Sequence, residues 1–475
     1  MKSGDEIILE IEDFASEGKC VARLDGMAVF MSEVVPGDTV KARLWKVKSR
    51  YAEAEVIERT TDSTLRVVPR CSYFGICGGC KWQQVEYRAQ LEFKRRQVVD
   101  ALERIGGFTG IHVNETLGSD EIYFYRNKME FSFGERWLSK EEFAQRKTSD
   151  LPSEDNPTLG LGLHLPQRFE KVLDIHECWL QSATSNQIVN TVRSFASEHQ
   201  LSAYSTRTHA GYLRNLVIRE GKRTGEMMVN LVTSEDLPEI MHKLCEKLLE
   251  ELPSITTIVN NVTTRKSQVA IGEYERMYHG EGYITERLGN KTFRISANSF
   301  FQTNTAQAER LYDVAKRMAQ LQPSDVVFDL YCGTGTIALF IADEVAEVVG
   351  IEVVESAAID AHRNAELNGV TNCRFELGDL KEKLTKDRGW LQRHALPDVI
   401  IIDPPRSGMH EKSVKEVLNL KARRIVYVSC NPATQARDLK LLCKESLYLI
   451  EEVQPVDMFP HTEHIECVVA LKQMG

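Results

Sequence analysis

The chain has no long hydrophobic run. No stretch approaches the roughly 18 apolar residues that a membrane helix requires, so no membrane association is expected. Its start, MKSGDEIILEIED, is acidic by residue 5 and lacks a signal peptide's apolar core. Cytoplasmic residence is the expectation. Proline (14) and glycine (29) are too sparse in 475 residues for a collagen-like or low-complexity chain. With 42% hydrophobic and 27% charged residues, wholesale disorder is excluded as well. Excess positive charge is also missing. Lys and Arg number 59 against 69 Asp and Glu, a formal net charge of -10. A non-specific nucleic-acid coat is thereby excluded, and any nucleic-acid contact is confined to a local basic patch. Cysteine, by contrast, is plentiful. Eleven in a chain without an export signal are expected as thiols, and clustered thiols point to metal or catalysis. At about 100–200 residues per domain, the length implies two to four domains.

Residues 1–62 read as a small β module. Apolar positions alternate at Ile7, Leu9 and Ile11, at Val40, Ala42 and Leu44, and at Ala52, Ala54 and Val56, with turn signals at Asp25-Gly26 and Pro36-Gly37-Asp38. Residues 41–51 hold five cations and two aromatics, a pattern that presents charge to phosphates or simply guards a strand edge. Within 63–295, Cys71, Cys77 and Cys80 are separated by five and then two residues, and Gly75, Gly78 and Gly79 let three sulfurs converge. Cys178 is the candidate fourth ligand. A thiolate set suits zinc or an iron–sulfur cluster, although only one Cys-x-x-Cys knuckle is present. Residues 83–105 have helical spacing and end at Gly106-Gly107; this helix is expected to pack on the C-terminal domain. The polar stretch 144–158 is an expected surface loop. Strands over 123–133, 213–219, 226–233 and 256–262, with helices over 185–199 and 236–251, imply an α+β middle domain.

Over 296–475 the pattern becomes alternating strand and helix. Strand Val326–Leu330 runs into Tyr331-Cys-Gly-Thr-Gly-Thr336, where glycines let a ligand approach Gly333 and a helix N-terminus. The third glycine of the dinucleotide fingerprint is missing, which disfavours NAD. Glu352, at the next strand's tip, is placed either to accept ribose hydroxyls or to cap a helix. Asp379 is placed to touch an adenine ring or to cap a surface turn. Asp403 ends an all-apolar strand before Pro404-Pro405-Arg406. Cys430 precedes Asn431 and Pro432, an expected helix cap and first turn, where a thiolate is favoured over a buried inert thiol. Glu466 begins an otherwise apolar strand, either as a salt-bridged structural group or as a desolvated base. The nearby His461 and His464 are too weak a pair to call a metal site.

Gly18-Lys-Cys-Val-Ala-Arg23 and Pro36-Gly37-Asp38 resemble the TRAM module, a small OB-like β-barrel appended to RNA-modifying enzymes. Phe300-Phe301-Gln302-x-Asn304, Asp329 through Thr336, Asp403-Pro-Pro-Arg406, Ser429-Cys430-Asn431-Pro432 and His464-Ile-Glu466 occur in the order of one family. With the four cysteines, the whole chain resembles an iron–sulfur RNA uracil-carbon-5 methyltransferase of the branch making 5-methyluridine in 23S ribosomal RNA. The resemblance implies an α/β fold with a Rossmann-like catalytic domain. S-adenosylmethionine would be the methyl donor, and a 4Fe–4S cluster would sit on Cys71, Cys77, Cys80 and Cys178. It makes Cys430 the nucleophile and Glu466 the base. Gln302, Tyr331, Gly333, Thr336, Glu352, Asp379 and Asp403 would surround the cofactor; Thr336 stands where many members carry asparagine. RNA is the implied partner, with no obligate protein partner. Uridine in the transfer-RNA T-loop, cytosine, and a cluster-bearing RNA-binding protein without catalysis are the competing readings.

Overall fold

The computed structural model describes residues 2–137, 159–165, 168–267, 270–385, 389 and 393–474. The stretch 144–158 lies outside the described residues. Six strands open the chain: β1 (Glu6–Glu10), β2 (Asp13–Phe14), β3 (Cys20–Leu24), β4 (Met27–Met31), β5 (Thr39–Val47) and β6 (Tyr51–Thr61). They pair in the order β1-β5-β6-β4-β3-β2, and β1 returns against β3. Alternation puts Leu9, Val40, Ala42, Leu44, Ala52 and Ala54 into one interior. Asp25 and Gly26, both at positive φ (50° and 80°), make the tight turn between β3 and β4. The cations of β5 face carboxylates on the strands either side. Lys41 and Arg43 pair with Glu6, Arg43 also with Glu55, and Lys46 with Glu53. The register places Glu6 and Glu55 opposite Arg43, and Glu53 opposite Lys46.

The middle sheet holds β7 (Lys128–Arg136), β8 (Leu159–Leu165), β9 (Arg168–Asp174), β10 (Leu213–Glu220), β11 (Met227–Thr233), β12 (Thr257–Val262) and β13 (Tyr274–His279). Helices Ala183–Glu198 and Pro238–Glu251 bury Ile188, Val192, Phe195, Leu244 and Leu248 against it. The expected strand over 123–133 starts only at Lys128. Phe124 adopts left-handed φ (57°) and breaks the ladder, so the aromatic run before it lies in a strap rather than in the sheet. Hairpin β14 (Tyr283–Leu288) and β15 (Lys291–Ser296) buries Ile284, Leu288, Phe293 and Ile295 in the C-terminal core.

That core surrounds a seven-stranded sheet: β16 (Val326–Leu330), β17 (Glu347–Glu352), β18 (Cys373–Leu377), β19 (Val399–Ile402), β20 (Arg424–Ser429), β21 (Tyr448–Val456) and β22 (Glu466–Gln473). Their order is β18-β17-β16-β19-β20-β22-β21, parallel from β18 through β20, with β22 antiparallel between β20 and β21. Val399–Ile402 are all fully buried, as a strand covered on both faces requires. The helix Tyr87–Ala101 continues through a wide turn at Leu102–Gly106 and stops at Gly107 (φ 77°). Val98, Ala101 and Leu102 share a core with Leu439 and Leu442 of helix Pro432–Leu442, so this helix packs on the C-terminal sheet. Among the described residues no helix is long and apolar enough to cross a membrane.

Candidate active site

The sheet brings distant residues to one edge. The C-terminal ends of β16, β19 and β20 lead into Tyr331, Asp403 and Cys430. Because β22 runs antiparallel, its first residue, Glu466, reaches the same edge, and Ser429 pairs with Cys467. The strand order reverses between β16 and β19, and the carboxyl ends at such a reversal are where α/β sheets hold ligands. Asn431 caps the helix after Cys430 by accepting from Ala433 N at 3.1 Å, with Pro432 in its first turn.

The electrostatics tie these groups together. Burial pushes the Cys430 thiol up to about 11; Glu466 and Asp403 add to the rise and Arg406 opposes it. Burial raises Asp403 to about 7. Glu466, 5% exposed, is raised well above the usual carboxylate range by burial and then by Asp403. A desolvated carboxyl beside another carboxyl holds its proton to higher pH, as a base working near neutrality requires.

On the other side of β16, the loop Tyr331–Gly335 is held in left-handed conformations at Tyr331 (69°), Gly333 (56°) and Gly335 (78°). Glu352 accepts from Gly333 N at 2.9 Å and from Val353 N and Val354 N at 2.8 Å. It therefore ties the glycine loop to the turn at Val353 and Val354, while the helix that follows, Glu355–Leu367, has no side-chain cap. Tyr331 and Asp379 line a cavity of about 240 Å³ with Ile351, Val353 and His410. Asp379 is exposed and also accepts from Glu382 N. Gln302 is half-buried, its carbonyl accepting from Asn127 Nδ2 at 2.9 Å.

Two further residues belong to this neighbourhood. Asp329 is fully buried; one oxygen accepts from Ala338 N at 3.0 Å and the other has no partner. Burial, then Asp403, raises it to about 7. Tyr312 is buried with its hydroxyl 3.1 Å from Thr336 Oγ1. Its position on an amphipathic helix carried no motif, so nothing in the sequence marks it.

The unpaired Asp329 oxygen and the space around Gly333, where an added Cβ would meet nothing within 4 Å, leave a cradle for a ligand beside the loop. The other candidate set also shares one place. Cys71, Cys77, Cys80 and Cys178 all line a cavity of about 270 Å³. Gly79 N donates to Cys77 Sγ at 3.4 Å. Burial raises Cys77 to about 11 and Cys80 to about 12. Among the described residues no three His, Cys, Asp or Glu side chains converge closely enough to hold a metal ion. The buried ring of His461 lies 4.5 Å from that of Tyr123, and burial pushes it down to about 4.

Known proteins agree with this architecture. Residues 220–474 match the model of the tRNA (uracil-5-)-methyltransferase family, and residues 2–57 that of the TRAM domain. An RNA methyltransferase of Chlorobaculum tepidum is 47% identical, covering 99% of this chain and 97% of its own. One from Bacteroides thetaiotaomicron is 42% identical over 96% of this chain and 99% of its own. Among solved structures, the Pyrococcus abyssi tRNA (uracil-54, C5)-methyltransferase in complex with S-adenosyl-L-homocysteine superposes with a TM-score of 0.75 at 32% identity. It covers 98% of this chain and 100% of its own. Fold and relatives thus define an RNA methyltransferase with a TRAM domain. The chain belongs to the tRNA (uracil-5-)-methyltransferase family.

Proposed function

We propose that the protein methylates carbon 5 of a uridine in RNA through a covalent bond between Cys430 and the uracil. The convergence of Cys430, Asp403 and Glu466 on one sheet edge carries this reading. S-adenosylmethionine would bind beside Gly333 and would supply a methyl group on a positive sulfonium. Tyr331, Gly333, Thr336, Glu352 and Asp379 would hold it, and the unpaired Asp329 oxygen would face its charge. Gln302 and Asp403 would orient the uracil, with Asp403 accepting from a ring N–H. Carbon 5 of uracil is too weak a nucleophile unaided. Cys430, held as the thiol by burial, loses its proton to solvent as it attacks; its sulfur adds to carbon 6, and the ring becomes an enolate whose carbon 5 would take the methyl group, with S-adenosylhomocysteine as the leaving group. Glu466 removes the proton from carbon 5, the ring double bond re-forms, and the thiolate leaves. A paired base cannot reach such an edge, so the uridine is unstacked or flipped out.

The order of steps gives the test. Cys430→Ala is expected to abolish methyl transfer while RNA still binds. Glu466→Gln is expected to transfer methyl once and accumulate RNA–protein adduct stable in denaturing gels. Full activity in either variant overturns that residue's assignment.

For the substrate we take 23S ribosomal RNA, on the resemblance of the TRAM start and the cysteine set to that branch. Transfer RNA is favoured by one observation: the Pyrococcus enzyme, named for uracil 54 of tRNA, matches this chain nearly end to end. Length and TRAM domain therefore do not separate the two. Label from S-adenosylmethionine recovered as 5-methyluridine in 23S RNA supports the first, and label only in transfer RNA the second. Four half-buried thiols around one cavity suit a 4Fe–4S cluster on Cys71, Cys77, Cys80 and Cys178. Its place is structural, since the methyl transfer needs no electron carrier. Anaerobically purified protein should be brown, with about four irons and four sulfides per chain. Colourless protein with stoichiometric zinc would refute the cluster.

A further inference from the structure

The cations of β5 are spent on carboxylates of their own sheet, which leaves open where an acidic protein grips RNA. Arg70, beside Cys71, differs from them. It is exposed, and its guanidinium has no hydrogen-bond or carboxylate partner among the described residues. Its guanidinium carbon lies 3.6 Å from the centre of the Trp179 ring, with the rings of Tyr123 and Phe124 at 5.3 and 5.4 Å. All three rings are half-buried. Three rings therefore hold a long side chain in place without neutralising it. The side chain has surrendered rotamer freedom before any ligand arrives, while its charge and N–H edge stay available.

The location matters as much as the charge. The strap 123–127 bridges two segments. On one side Phe124 N donates to Trp179 O at 2.8 Å and Arg126 N to Leu180 O at 2.9 Å. On the other, Asn127 N donates to Thr303 O at 2.8 Å and its side chain to Gln302 O at 2.9 Å. Arg70 thus stands one strap away from the 302–304 segment, on the side facing the four cysteines.

We propose that Arg70, seated on Trp179, Tyr123 and Phe124, binds a phosphate of the unpaired RNA strand beside the target uridine. The inference rests on RNA being the substrate. A phosphate fits better than a stacked base because one face of the guanidinium is already covered by Trp179, whereas its edge is free. The Tyr123 ring also touches His461 in the turn leading to Glu466, so this contact and the base share one structural support.

The test compares Arg70→Gln and Arg70→Lys with the wild-type full-length protein, its cysteine site loaded as purified. Affinity for 23S RNA, and in parallel for transfer RNA, is measured across salt concentrations, together with KM and kcat. Loss of one phosphate contact should lower the slope of log affinity against log salt by about 0.7–0.9 in the glutamine variant. The loss should fall on KM rather than on kcat, and lysine should restore the slope. An unchanged slope in Arg70→Gln, even with a lowered melting temperature, means that Arg70 only packs on Trp179, and overturns the inference. A wild-type protein that methylates no RNA defeats the proposed function and this contact with it. Active wild type with an unchanged glutamine slope defeats this contact alone.

Discussion

Gly333 and Gly335 sit two residues apart in one loop, both left-handed, and a methyl group added to each meets a different fate. At Gly335 it would lie 2.9 Å from the Phe375 ring and 3.2 Å from Ala361 Cβ; at Gly333 it would enter open space. Both alanines incur the left-handed penalty of about 1–2 kcal/mol. Gly335→Ala adds overpacking of roughly 1–3 kcal/mol, so it should lose stability in urea denaturation. Gly333→Ala should lose less stability, yet weaken S-adenosylmethionine binding at least tenfold in calorimetry if the cofactor occupies that space. Equal cofactor affinity in the Gly333 variant would move the cofactor elsewhere. At this scale the sequence was readable, because Asp403, Cys430 and Glu466 each stand at a strand boundary that their neighbours announce. Tyr312 was not. Its contact with Thr336 depends on how a helix lies against the sheet, and no local pattern encodes that.

Elements were legible where they are periodic and less so where pairing decides. The helix ending at Gly107 and the strands of the C-terminal sheet follow their apolar spacing, whereas the strap 123–127 mimics a strand until Phe124 breaks it. Least legible was the turn between β21 and β22. Lys94, from the helix Tyr87–Ala101, reaches Asp457 at 2.5 Å and Phe459 O at 3.0 Å, although 363 residues separate Lys94 from Asp457. Both charges are fully buried, and Tyr87 donates to the other Asp457 oxygen at 2.8 Å. Lys81 N and Trp82 N donate to His461 O, and Asn304 Nδ2 to Met458 O. The turn before Glu466 is therefore gripped by side chains and backbone from far upstream. Removing one charge leaves the other buried and unpaired, so Lys94→Met should cost about 3–5 kcal/mol in denaturant unfolding. Replacing both, as Lys94→Met with Asp457→Asn, should recover much of that loss. A single variant as stable as wild type would show that water reaches the pair.

Across the whole molecule, composition fixed the class more readily than the contacts. A net charge of -10 excluded a basic coat, but pairing across β1, β5 and β6, invisible in composition, decides which cations stay free. The same long-range closure governs how the molecule comes into being. β22 lies between β20 and β21 yet follows both in the chain. On the ribosome, β20 and β21 emerge with a strand-wide gap between them, each offering an unpaired edge until residues 466–473 arrive. A product truncated before Glu466 would carry the glycine loop and Cys430 but neither Glu466 nor the strand that fills the gap. Its two open strand edges would make such a fragment a target for chaperones and proteases. The sheet edge that gathers Asp403 and Cys430 is therefore complete only once Glu466 and its strand are threaded between β20 and β21.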